Sequence, residues 1–187
     1  MKIAITGHTA GIGKAIADVF SSTDEIIGMS RTNGYNISDT DAIIHIAKDC
    51  DVFINNAYLG PNQTILFAAM LAEWFDDNNK TIVNINSRAR YINNPRFDYD
   101  TQKKNLYSAA VLAATNFRRK CRVINLSPGY ISTDSILSLY PNMSKDKMLT
   151  PVQFAEMVKW TINQPQNVEI AELSVWINMA FDTPTNP

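Results

Sequence analysis

Short apolar runs alternate along the chain with stretches whose apolar residues recur every three or four positions. Residues 3–6 are apolar and mostly β-branched, and after them Ile12, Ile16, Val19 and Phe20 recur at helical spacing, which predicts a strand, a turn and a helix. Residues 25–29 form a second candidate strand behind a Ser/Ser/Thr/Asp turn. Ser38 or Asp39 can cap a helix whose apolar face holds Ala42, Ile43, Ile46 and Ala47, and residues 51–54 follow as the next strand. Residues 65–75 predict a helix with Ile65, Leu66, Ala69, Met70 and Trp74 on one side, and residues 81–85 a strand. A longer helix starts at Tyr99 or Thr101 and runs to Arg119, ahead of a strand at 122–126 and a turn at Pro128 and Gly129. Thr150 and Pro151 open a helix to Ile162, and residues 171–176 are the last candidate strand.

Strands separated by helices and lacking hairpin turns imply an α/β fold: an open, mostly parallel sheet with helices on both faces. The strands are continuous apolar runs, as in a sheet covered on both sides. No internal repeat, low-complexity tract or linker divides residues 1–187, so a single domain is expected. Residues 130–149 are the least periodic. They follow the carboxyl end of a predicted strand, where ligand crevices of such sheets lie, and read as a substrate lid or an irregular loop.

Composition narrows the classes of function. Hydrophobic residues make up 45% of the chain, against disorder, and 17 basic against 18 acidic side chains give a net charge of -1, with no electrostatic footprint for nucleic acid. The basic run Arg118, Arg119, Lys120 reads as favourable charge at a helix carboxyl end. Cys50 and Cys121 are far apart and form no scaffold pattern, so buried thiols and a reducing, cytoplasmic setting are expected. Gly7 and His8 break the first apolar run before it could be a signal or a membrane span, so no membrane partner is expected. His8 reads as exposed or supporting and His45 as structural. No histidine and carboxylate spacing makes a metal site.

Three of the seven glycines, Gly7, Gly11 and Gly13, cluster between the first strand and the first helix. In that place glycines permit a tight turn and let a pyrophosphate approach helix amides. Gly13 and Lys14 are followed by Ala15, so the lysine-hydroxyl ending of a nucleoside-triphosphate loop is missing. Tyr99 and Lys103 stand one helical turn apart and face one side, where an ammonium beside a phenol favours the phenolate and suits it to acid/base work.

The run T-G-x-x-x-G-I-G resembles the cofactor loop of the short-chain dehydrogenase/reductase family. Further matches follow in family order: Asn55, Asn56 and Ala57, then Ser87 closing N-I-N-S, then Tyr99-x-x-x-Lys103, then Pro128 and Gly129 with Thr133. The resemblance spans Met1 to about Thr133. It implies a three-layer Rossmann fold binding NADP, with NAD as the other possibility, and reversible hydride transfer to a small carbonyl or from an alcohol. Under it Gly7, Thr9, Gly11, Ile12 and Gly13 form the cofactor turn. Asn55, Asn56 and Ala57 line the cofactor channel, and Pro128, Gly129 and Thr133 pass beneath the nicotinamide.

Ser30 and Arg31 stand where NAD-binding members place a carboxylate, and Arg31 offers donors to a 2'-phosphate, hence the preference for NADP. Asn36 and Ile37 resemble a residual third strand, with Asn36 in an acidic position near the adenine. The family assigns Ser87 to substrate positioning, Tyr99 to general acid/base catalysis, and Lys103 to lowering the Tyr99 pKa and binding the nicotinamide ribose. Asn62 is the counterpart of the family's catalytic asparagine, and Tyr58 replaces a usual glycine next to the cofactor path. A homodimer or homotetramer is expected, with Trp160, Trp176, Met179 and Phe181 packing between subunits or finishing the core. Two other readings stay open: a nucleotide-binding regulatory or scaffold protein with little turnover, and a reductase or epimerase of nucleotide-sugars.

Overall fold

The computed structural model describes residues 1–91 and 98–178. Among them, six strands, β1 (Lys2–Thr6), β2 (Glu25–Met29), β3 (Val52–Asn55), β4 (Thr81–Ile85), β5 (Arg122–Pro128) and β6 (Glu172–Val175), form one sheet. Its order is β2-β1-β3-β4-β5-β6, and every neighbouring pair is parallel. The helices are α1 (Gly11–Phe20), α2 (Thr40–Ala47), α3 (Asn62–Trp74), α4 (Asp98–Ala114), α5 (Asp134–Leu139) and α6 (Pro151–Ile162).

Alternate strand residues feed two separate cores. Ile3, Ile5, Val52, Ile54, Val83, Ile85, Ile124 and Leu126 pack with Ile16 and Phe20 of α1 and with Phe154, Val158 and Ile162 of α6. Their neighbours Ala4, Phe53, Ile82 and Val123 pack on the opposite face with Ile43 of α2, Leu66 and Met70 of α3, and Leu106 and Ala110 of α4. Burial on both faces removes the polar/apolar alternation that would mark a half-exposed strand. The result is the three-layer arrangement expected from the sequence.

Local chemistry sets the element ends. The Asp39 carboxylate, not Ser38, caps α2 by accepting from the Ala42 amide at 3.2 Å. Thr150 and Gln153 form a reciprocal capping box at α6, with Pro151 at its first turn. α3 begins at Asn62, directly after Pro61, three residues before the apolar periodicity starts. α4 stops at Ala114, short of Arg119: the Thr115 hydroxyl bonds back to the carbonyls of Val111 and Leu112, and the Asn116 side chain accepts from the Arg118 amide. Residues 130–149 hold α5 and close on themselves through a bridge between Ile131 and Leu149.

One expected element is replaced. Asn36 and Ile37 form a turn instead of a residual third strand, with the Asn36 carbonyl accepting from the Asp39 amide and its side chain from the Ser38 amide. Only ten residues lie between β2 and α2, too few for a parallel strand and its crossover. Ile37 instead plugs the core under α2, and β2 stands at the sheet edge among the described residues.

A polar row crosses the sheet in register: Asn55, Asn84, Asn125 and Glu172 sit side by side on β3 to β6. Asn55 donates to Asn84 at 3.0 Å and Asn125 donates to Glu172 at 2.6 Å. Cys50 and Cys121 are buried free thiols, and burial raises the pKa of both, Cys121 to about 11. Among the described residues no helix is long and apolar enough to cross a membrane, and no cluster of histidine, cysteine and carboxylate groups could hold a metal. Met179 and Phe181 lie outside the described residues.

The glycine turn gives a direct stability test. A Cβ on Gly13 would stand 2.1 Å from the Gly7 carbonyl oxygen, a contact with backbone that no rotamer change relieves. Gly13→Ala is therefore expected to lose about 1–3 kcal/mol in urea unfolding. An unchanged urea midpoint would contradict the close approach of α1 to this turn.

Candidate active site

The chain leaves β1 for β2 on one side and returns to place β3 on the other, so the carboxyl ends of β1 and β3 part at a topological switch point. Such crevices are where open parallel sheets bind ligands. Here a clasp joins the two ends. The Thr6 hydroxyl accepts from the amides of Asn56 and Ala57, each at 3.0 Å, and the Asn56 side chain donates back to the carbonyls of Thr6 at 3.0 Å and Gly7 at 3.3 Å. Asn55, by contrast, is fully buried and serves the sheet interior.

Above the clasp, Gly7 (φ 72°) and Gly11 (φ 53°) take left-handed backbone that glycine alone adopts without strain. Gly11 also faces Thr133, whose Cγ2 would lie 3.3 Å from an added Cβ, so the loop meets the segment after β5. Ala10 offers no side-chain cap to α1, and its first turn carries no acidic residue. The first amides of α1, at Gly11, Ile12 and Gly13, are thus available to an external acceptor, beside exposed Thr9. The cradle fits a phosphate group. The His8 ring presses on Gly28, where a side chain would collide at 2.3 Å, and its Nδ1 is buried without a partner.

At the end of β2, Ser30 is buried in a short 3-10 turn and Arg31 is exposed. The turn is locked by the Asn33 side chain, which accepts from the Ser30 amide at 2.7 Å and donates to the Gly28 carbonyl at 2.8 Å. Asn36 is exposed nearby and Ile37 points into the core.

Ser87, Tyr99 and Lys103 come together at the carboxyl edge of β4 and the start of α4. The Ser87 hydroxyl accepts from the Ala89 amide at 3.1 Å and stands near enough to the Tyr99 phenol to lower its pKa. Tyr99 is 37% exposed. Desolvation raises its pKa, the Ser87 hydroxyl pulls it back, and Tyr58 and Asp100 push it up again. The expected lowering by Lys103 does not prevail. Lys103 is itself 3% exposed, and desolvation brings its pKa down to about 7, so near neutrality it is only partly a cation.

Tyr58 is a full member of the cluster. Its ring meets Tyr99 edge-on with centroids 4.8 Å apart, and the Lys103 amine lies 5.5 Å from the centroid of each ring. Asn62 is elsewhere: its side chain donates to the Leu59 carbonyl at 2.9 Å, closing the turn before α3. The side chain that reaches Lys103 is Gln63, 2% exposed, whose Oε1 accepts from the lysine at 2.8 Å. Asn62 itself makes no hydrogen bond to Lys103 among the described residues. A signal for Gln63 was present, since it falls on the same helical face as Phe67, Met70 and Trp74, a lone amide in a buried stripe.

Pro128 and Gly129 close β5, and the Gly129 amide donates to Val175 at 2.7 Å. An added Cβ on Gly129 would stand 2.7 Å from the Trp176 Cβ, so the glycine makes room for the chain at the end of β6. Arg88, next to Ser87, stacks over the Trp176 indole at 4.5 Å. Arg90, buried, pairs with Glu172 at 2.6 Å and lies 3.5 Å over the Tyr107 ring, tying the turn after β4 to β6 and α4.

The fold is that of solved short-chain dehydrogenase/reductase structures. A serine dehydrogenase complexed with NADP+ superposes with a TM-score of 0.75 at 18% identity over 94% of both chains. Serine dehydrogenase from Escherichia coli gives 0.73 at 20% identity, over 94% of this chain and 97% of that one. A 3-ketoacyl-(acyl-carrier-protein) reductase from Brucella melitensis complexed with NADH gives 0.73 at 18%, over 93% and 96%. No protein-family model and no curated protein sequence matches the chain.

The buried lysine leaves a signature in stability. Its ordinary pKa of 10.5 falls to about 7 on folding, so between those values the unfolded chain binds more protons and stability rises with pH. Between pH 7 and pH 9.5 the wild type is expected to gain about 1 kcal/mol or more relative to Lys103→Met in denaturant unfolding. A difference that does not change with pH would contradict the burial of an uncompensated amine.

Proposed function

We propose that this protein is an oxidoreductase of the short-chain dehydrogenase/reductase type that prefers NADP and reversibly reduces a small carbonyl compound to an alcohol. The observation that carries the reading is the meeting of Ser87, Tyr99 and Lys103 at the sheet edge that also holds the glycine cradle. The NADP+ and NADH in the names of the superposed structures support the cofactor class.

The residues fit the cofactor. Gly7, Thr9, Gly11, Ile12 and Gly13 would hold the pyrophosphate, the adenosine end would lie near Ser30, Arg31, Asn36 and Ile37, and Asn56, Ala57, Pro128, Gly129 and Thr133 would flank the nicotinamide. Exposed Arg31 is free of the carboxylate that would repel a 2'-phosphate at this strand end. When bound, the nicotinamide supplies or accepts the hydride.

The rest is done by side chains. Ser87 and Tyr99 hold the substrate oxygen between two hydroxyls. Because burial raises the Tyr99 pKa, its phenol keeps its proton through the neutral range and is set to give it to the oxygen of a carbonyl undergoing reduction. Lys103 stands behind Tyr99 as the group that exchanges protons near pH 7. Exposed Leu112 and Trp160, large apolar side chains on α4 and α6, support a homodimer or homotetramer.

Tyr58 favours a second reading, a nucleotide-binding regulatory or scaffold protein with little turnover, because its bulk occupies the approach to Tyr99 and Lys103. Two variants separate the readings. Tyr99→Phe is expected to lose carbonyl-dependent NADPH oxidation by 100-fold or more, about 10²–10⁴ for an acid/base group, while fluorescence titration shows NADPH still bound; unchanged turnover would reject the role of Tyr99. Arg31→Asp is expected to weaken NADPH about tenfold relative to NADH, the equivalent of one charge-assisted contact, and an unchanged ratio would reject the NADP preference.

A further inference from the structure

Lys103 enters the interior on α4 without a counter-charge. Its amine donates to Gln63 Oε1 at 2.8 Å and to the Ile85 carbonyl at 2.9 Å, both neutral oxygens. The groups that face it are few. From β4 comes the main-chain carbonyl of Ile85, from α3 the Gln63 amide, from the segment before α3 comes Tyr58, and from α4 come Tyr99 and, acting on Tyr99, buried Asp100. No carboxylate bonds to the amine among the described residues.

Gln63 has no freedom to turn away. Its Nε2 donates to the Asn55 carbonyl at 2.8 Å and to the Ile85 carbonyl at 3.0 Å, which leaves Oε1 aimed at the lysine. A reversed amide would set an oxygen against two carbonyls and an NH2 against the amine, losing all three bonds. The Gln63 carbonyl in turn accepts from Asn55 Nδ2 at 2.9 Å, so the first turn of α3 and the end of β3 lock each other.

Only glutamine meets all these demands. Glutamate would give Lys103 a counter-charge and set a carboxylate against two carbonyls. Asparagine is one methylene too short to span from α3 to the lysine, and methionine has neither donor nor acceptor.

We propose that Gln63 is a positioning residue acting through Lys103: its neutral amide, clamped by the Asn55 and Ile85 carbonyls, holds the amine beside Tyr58 and Tyr99 without fixing it as a permanent cation. The link to catalysis rests on the reading of Tyr99 and Lys103 as the reaction pair, while the link from Gln63 to Lys103 stands on the hydrogen bonds alone. The lowered pKa of Lys103 agrees with it.

The test is a pH titration of the Lys103 Nζ resonance in the full chain labelled with 15N-lysine, with no cofactor added, and Lys103→Arg serving to assign the signal. Gln63→Glu is expected to raise the Lys103 midpoint by a unit or more, a tenfold or greater gain in proton affinity. Gln63→Asn, the second variant should the glutamate fail to fold, is expected to shift the Nζ resonance as the hydrogen bond is lost. Midpoint and resonance matching the wild type in the folded variants would overturn the proposal. In NADPH-dependent reduction, the pH profile of kcat is expected to move with the Lys103 midpoint while KM for NADPH changes less. A moved midpoint with no turnover in any variant, the wild type included, would sink the oxidoreductase reading and uphold the link between Gln63 and Lys103. A profile that stays put in an active variant whose midpoint has moved would overturn the catalytic link.

Discussion

A lysine amine carried into the dry side of a parallel sheet must meet acceptors or give up its charge. Lys103 does some of each, and the site is arranged around that fact. Two neutral oxygens accept its hydrogen bonds, two aromatic rings flank it, and burial draws its pKa to about 7. The same contacts join four elements, since Gln63 brings in α3, Ile85 and Asn55 close β4 and β3, and Lys103 belongs to α4. Burying the amine costs stability at neutral pH, where it is still partly charged.

The other half of the crevice is built from uncharged parts. Thr6 and Asn56 clasp the ends of β1 and β3 with bonds between side chain and main chain, and above them the glycines let α1 approach within a distance that any Cβ would forbid. The clasp and the lysine share one support, because Asn55 and Asn56 are consecutive: the first faces Gln63 in the interior and the second faces the turn. A change at the end of β3 is thereby felt at both halves of the crevice.

What the sequence made legible was local in the chain. The glycine turn, Asn56, Ser87, Tyr99 and Lys103 are recognised within short windows, because each window encodes one strand end or helix turn whose geometry follows from a few adjacent residues. Groups defined by distant partners were not legible. Arg90 looks like a surface arginine until Glu172 and Tyr107 are seen to enclose it. That Gln63 and not its neighbour Asn62 reaches Lys103 depends on the start of α3, which follows Pro61 and is held by bonds to β3 and β4, beyond the reach of a count along the chain. The Tyr99 pKa was misjudged in direction for a similar reason, as spacing shows that a lysine is near but not that it is desolvated. Asn36 and Ile37 carried a plausible strand pattern, and the shortness of the connection to α2 decided for a turn.

Under the proposed function this crevice moves a hydride as well as holding a nucleotide. That function is tested most directly by following the oxidation of NADPH carrying deuterium at the transferred position, with and without a panel of small carbonyl compounds. A reductase is expected to oxidise NADPH only when a carbonyl is present, more slowly with deuterium, and to yield the matching alcohol in equal amount. NADPH bound tightly but consumed at the same rate with and without every carbonyl would contradict it.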